Sequence, residues 1–124
     1  MKKNNKPKRG EEITTGYFTL LDKHIEDVVT GTVPRMMELN EIAAALYVSH
    51  QHLSDTIKRE MGHHPCHFYD LKIIDKAKQL LRETALPVAQ IAYTLTYDPS
   101  NFSKFFKKFT GETPRQWREN NPTR

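Results

Sequence analysis

The 124-residue sequence is poor in cysteine, in glycine and in long apolar runs. Its one cysteine, Cys66, excludes an internal disulfide and fits a reducing compartment, so a cytoplasmic location is expected. No run of about eighteen apolar residues occurs, so no segment reads as a membrane span and no membrane partner is expected. The basic start, residues 1–10, is followed by no apolar stretch, which argues against a secretory leader. Alternating apolar and polar residues never persist over any length, which leaves a sheet without support. Among the five glycines none forms a phosphate-cradling loop, and neither a strand-turn-helix nucleophile setting nor paired acids on an apolar cleft is present. Cys66 beside histidines has no evident orienting pocket. An enzyme is not expected, and neither is a cofactor.

What the sequence does have is helical periodicity and an uneven charge. From Thr15 to about Thr30, Phe18, Leu21, Ile25, Val28 and Val29 recur at helical spacing and predict an amphipathic first helix, ended by Gly31-Thr32-Val33-Pro34. A long helical pattern runs between Pro65 and Pro87 through Phe68, Leu71, Ile74, Ala77, Leu80 and Leu81. The formal net charge is +4. Residues 1–12 carry Lys2, Lys3, Lys6, Lys8 and Arg9 against Glu11 and Glu12, a net of +3 in a polar stretch that reads as a flexible tail. From Ser100 onward Lys104, Lys107, Lys108, Arg115, Arg118 and Arg124 outweigh Glu112 and Glu119 by +4. Between Glu38 and Glu60, Lys58 and Arg59 face Glu38, Glu41, Asp55 and Glu60, a net of −2. A basic C-terminal half makes nucleic acid a plausible partner.

An internal repeat organises the rest. A shift of 49 residues lays Leu39 on Val88, Ile42-Ala43 on Ile91-Ala92, Leu46 on Leu95 and Leu53 on Phe102. Further along, Ile57 meets Phe106, Lys58 meets Lys107, Gly62 meets Gly111, Pro65 meets Pro114 and Phe68 meets Trp117. Each copy reads as a helix-turn-helix. A short first helix carries a small alanine that lets the second approach closely. Ser49 and Asp98 are side-chain caps for that second helix, and Pro99 stands at its first position, where a missing N–H costs nothing. Gly62 and Gly111 supply the positive φ that stops it.

Once the core positions are taken, an outward face remains on each second helix. In the first copy it holds His50, Gln51, Ser54, Asp55 and Lys58; in the second, Ser100, Asn101, Ser103, Lys104, Lys107 and Lys108. Asparagine and glutamine pair bidentately with adenine, lysine reaches guanine or phosphate, and serine serves either. Lysines at the far end of the second helix suit backbone contacts, which set register. A merely solvated face is the bland alternative, and the repeat, the caps and the short polar side chains at the helix starts weigh against it. The cluster His63, His64, Cys66 and His67 has zinc-ligand chemistry, but it straddles a helix start and no second ligand pair follows, so no metal is expected.

These residues resemble the DNA-binding domain of the AraC family of bacterial transcription regulators. The resemblance covers Met37 to Arg118 and is most specific over Ile91-Ala92, then Asn101-Phe102-Ser103-Lys104-Phe105-Phe106-Lys107-Lys108-Phe109-Thr110-Gly111, then Thr113-Pro114 and Trp117-Arg118. It implies an all-α fold of about seven helices: two helix-turn-helix subdomains at 13–63 and 85–119, a linker helix at 64–84, and tails at 1–12 and 120–124. It implies major-groove binding of double-stranded DNA by both recognition helices, in groove segments about 34 Å apart. By the resemblance, bases are read by Gln51, Ser54, Asp55, Ser100, Asn101 and Lys104, and the DNA backbone is held by His50, Lys58, Ser103, Lys107 and Lys108. It also implies a transcription regulator, an activator touching RNA polymerase before a repressor, and a monomer on DNA if the chain stands alone. The chain reads either as such a stand-alone regulator or as part of a larger one. Three residues depart from the family's pattern: Asp55 and Ile73 stand where arginine is common, and Thr96 replaces an expected glycine in a turn one residue shorter than usual. The acidic first copy supplies the alternative reading, a protein-interaction module of the same fold with weak or lost DNA binding.

Overall fold

Caps, prolines and left-handed residues cut the chain into helices at the places where backbone donors and acceptors must find new partners. The computed structural model describes residues 9–122, and among them there are seven helices and no strand. In chain order these are α1 (Arg9–Val29), α2 (Leu39–Ala45), α3 (His50–Met61), α4 (Pro65–Glu83), α5 (Val88–Thr94), α6 (Pro99–Thr110) and α7 (Pro114–Asn120). The fold is all-α, as expected. None of these helices is long and apolar enough to cross a membrane.

The 49-residue repeat holds to the residue: α2 maps onto α5 and α3 onto α6 at both ends, and Pro65 and Pro114 open α4 and α7 alike. The connecting turns repeat too. The N–H of Tyr47 donates to Ala44 and that of Val48 to Ala43, both at 3.0 Å; Thr96 and Tyr97 donate to Tyr93 and Ala92 at 2.9 and 2.8 Å. That bond pair forces a left-handed residue after the helix, normally glycine. Here Tyr47 (φ 63°) and Thr96 (φ 66°) occupy it.

The chain divides into two compact units. The first takes residues up to Lys23 and from Met37 to Tyr69. Ile13, Tyr17, Leu21, Ile42, Ala43, Leu53, Thr56 and Ile57 are buried there. The Tyr17 hydroxyl donates to the Pro65 carbonyl and the Tyr69 hydroxyl to that of Met37, each at 2.7 Å, so two buried phenols find acceptors. Phe18 meets Phe68 edge-on at 5.4 Å. The second unit takes residues 24–36 and from Asp70 onward. Its core joins Ile74, Ala77 and Leu81 of α4 with Ile91, Ala92, Leu95, Phe102, Phe106 and Trp117. Arg118 donates to the carbonyls of Leu81 (2.9 Å) and Thr84 (3.3 Å), acceptors freed at the end of α4. Ile73 is buried as an ordinary core residue.

The first helix starts earlier than its periodicity predicts. Residues 9–12, expected within the flexible tail, form the first turn of α1; residues 1–8 of that tail, with Lys2, Lys3, Lys6 and Lys8, and residues 123–124 lie outside the described residues. Two forces extend the helix. Glu11 and Glu12 favour its positive N-terminal end, and Ile13 continues the buried row through Tyr17 and Leu21. Gly10 is buried because the Glu60 side chain lies over it: a Cβ there would sit 2.5 Å from Glu60 Oε2.

Candidate nucleic-acid interface

Each second helix is held by a side-chain cap and a left-handed glycine, so its outward face is fixed in phase. Ser49 Oγ accepts from the His52 N–H at 3.0 Å to start α3. Asp98 accepts from the N–H groups of Ser100 (3.0 Å) and Asn101 (3.2 Å) to start α6, where its charge also favours the helix end. Gly62 and Gly111, both at φ 84°, close the two helices. Leu53, Thr56 and Ile57 bury one side of α3, and Phe102 and Phe106 bury one side of α6.

The opposite sides carry the candidate site residues. On α6, Ser100, Asn101, Lys104, Lys107 and Lys108 are exposed and Ser103 is half-buried. Their spacing of three, four and seven residues puts them on one face, and the helix contains no acid. On α3, His50, Gln51, Asp55 and Lys58 are exposed and Ser54 is half-buried. The Gln51 amide nitrogen donates to Asp55 Oδ1 at 2.9 Å, so two side chains expected to read bases are already tied to each other. The structure brings the expected residues of each helix onto one face of that helix.

The repeat also identifies residues that the sequence reading passed over. With α3 and α6 in register, Asn101 corresponds to His52 and Lys108 to Arg59, and both first-unit residues are exposed. Their signal was the 49-residue offset itself, applied to side chains as well as to core positions. Tyr47 is 92% exposed in its left-handed turn, next to the start of α3.

The histidine cluster is otherwise engaged. His63 stacks on His67 at 4.3 Å and His67 meets Phe68 edge-on at 5.1 Å, while His64 Nδ1 accepts from the Cys66 N–H at 3.1 Å at the start of α4. Among the described residues no group of three histidine, cysteine or acidic side chains is arranged to hold a metal.

A family model described as "Helix-turn-helix domain" matches residues 42–120. The chain belongs to the AraC-type helix-turn-helix family. Its AraC-type fold is similar to the C-terminal domain of AraT, a response regulator from Geobacillus stearothermophilus, at 30% identity and a TM-score of 0.75, covering 90% of this chain and 87% of that one. It is also similar to a transcriptional regulator with an AraC-type DNA-binding domain from Chromobacterium violaceum, at 23% identity and a TM-score of 0.76, covering 90% and 93% of the two chains. The HTH-type transcriptional regulator YfiF of Bacillus subtilis is 27% identical over 115 residues, which are 91% of this chain. The AraC-type chain spans 35% of the length of that relative. Family and fold place it among DNA-binding domains of transcription regulators.

Proposed function

We propose that this chain binds double-stranded DNA sequence-specifically through the major groove and so regulates transcription, with α6 the stronger reader. One observation carries the reading: α6 exposes Ser100, Asn101, Lys104, Lys107 and Lys108 along a single acid-free face while Phe102 and Phe106 anchor the other. Asn101, in the first turn, offers the donor–acceptor pair that adenine matches, and Lys104 one turn on reaches guanine acceptors. Lys107 and Lys108 in the last turn suit phosphates, which set register. The α3 face, in a stretch of net charge −2, adds discrimination rather than affinity. Activation through RNA polymerase, and binding as a monomer, are implications of the family resemblance and are proposed on that ground alone.

The test is selection of binding sites from random duplexes of about 30 bp, long enough for two half-sites. The wild-type chain is expected to enrich a defined sequence, and Asn101→Ala to lose preference at one base pair on the order of tenfold. Failure to enrich any sequence overturns the regulator reading. A chain that also shows no salt-dependent shift with DNA is then the protein-interaction module.

A further inference from the structure

The tie between Gln51 and Asp55 does more than connect neighbours on a helix. A free glutamine amide turns over readily and offers either its donor or its acceptor to a base, which makes it a permissive reader. Asp55 ends that freedom. An ionised carboxylate has only acceptors, so the Gln51 amide nitrogen must face it, as it does at 2.9 Å. The opposite orientation would set the amide oxygen against a negative charge. With one Nε2 hydrogen given to Asp55, the second hydrogen and Oε1 remain, a donor beside an acceptor in fixed order.

That order is the complement of adenine in the major groove, whose N7 accepts and whose N6 amino group donates. Guanine presents two acceptors, N7 and O6, and would place O6 against Oε1. From the bond, the exposure of both side chains and their place on the outward face of α3, we infer that Asp55 is a positioning residue that locks Gln51 into adenine reading. This rests on the reading of α3 as a helix that enters the major groove. It also accounts for an acid on a DNA-facing helix: Asp55 repels phosphate but supplies base discrimination.

The experiment is binding-site selection with the full chain, repeated for Gln51→Ala, Asp55→Ala and Asp55→Asn. Both positions of change are exposed on the helix, and thermal unfolding checks that each variant is folded. Gln51→Ala marks the base pair that Gln51 reads. At that pair the wild-type chain is expected to prefer adenine over guanine by about tenfold, and Asp55→Ala by about twofold or less. Asp55→Asn is expected to lose most of the preference as well, because its amide carries a donor beside its acceptor and so pairs with either orientation of Gln51. Both Asp55 variants bind random duplexes more tightly, by a few-fold, as the carboxylate no longer repels phosphate. An adenine preference that survives Asp55→Ala unchanged overturns the inference, as does an enriched site to which only α6 contributes. In both of those outcomes the regulator reading stands; enrichment of nothing by the wild-type chain removes that reading itself.

Discussion

At the scale of single residues, the two turns show what this sequence tolerates. Tyr47 and Thr96 hold the left-handed backbone that the paired 44/43 and 93/92 carbonyl acceptors require. An L side chain there costs roughly 1–2 kcal/mol, and glycine escapes the cost at the expense of greater freedom in the unfolded chain. Thr96→Gly and Tyr47→Gly are each expected to stabilise the protein by about 0.5–1 kcal/mol, seen as a rise of about 2–4 °C in the midpoint of thermal unfolding. Thr96 loses one contact in the exchange, the hydroxyl donating to the Leu95 carbonyl at 2.6 Å, so its gain is the smaller. No rise at either site in calorimetry would mean that the turn relaxes without strain. Tyr47 also exposes nearly its whole ring, so its replacement removes no packing.

At the scale of elements, the aromatic side of α6 fixes how that helix presents its polar side. Tyr97, just before the Asp98 cap, stacks on Phe105 at 5.3 Å, and Phe106 meets Trp117 edge-on at 6.1 Å. The Lys78 ammonium and the Arg82 guanidinium of α4 lie 5.9 and 5.7 Å from the Trp117 ring centroid. Burial, and then the Asp70 carboxylate, push the Tyr97 phenol up to about 12 from an ordinary value of 10.0. The unfolded chain therefore releases this proton first. The neutral phenol's contribution is whole below pH 10, and it is lost as pH climbs from about 10 to about 12. Urea unfolding across that interval is expected to fall more steeply for the wild-type chain than for Tyr97→Phe, and parallel curves would exclude a buried phenol. Helix limits were largely legible beforehand, because Ser49, Asp98, Pro99, Gly62 and Gly111 act through local chemistry that a sequence displays. The first turn of α1 was not fully so, since the Glu60 side chain that lies over Gly10 comes from fifty residues away in sequence. The site faces were legible in composition, but the Gln51–Asp55 bond depends on a choice of rotamers that spacing allows without requiring.

At the scale of the whole molecule, charge separates two copies that the backbone makes equivalent. The repeat carries Asp55 onto Lys104 and Glu60 onto Phe109, so one surviving register holds opposite electrostatics. Affinity for DNA comes mainly from neutralised phosphates and weakens with salt in proportion to their number. The partition of charge therefore predicts where the salt dependence resides. Lys107→Ala or Lys108→Ala is expected to weaken binding to every sequence alike and to lower the slope of log K against log salt by about one, leaving the enriched sequence unchanged. Lys58→Ala, at the position equivalent to Lys107 but on a helix shared with Asp55 and Glu60, is expected to change the slope by less than half as much. Lys76 is the control: it is already paired with Glu26 at 2.7 Å within the second unit, so Lys76→Ala leaves the slope in place. A slope that ignores Lys107 and Lys108 would remove α6 from the phosphate backbone, and an equal loss from Lys58 would mean that the two helices share the charge work after all.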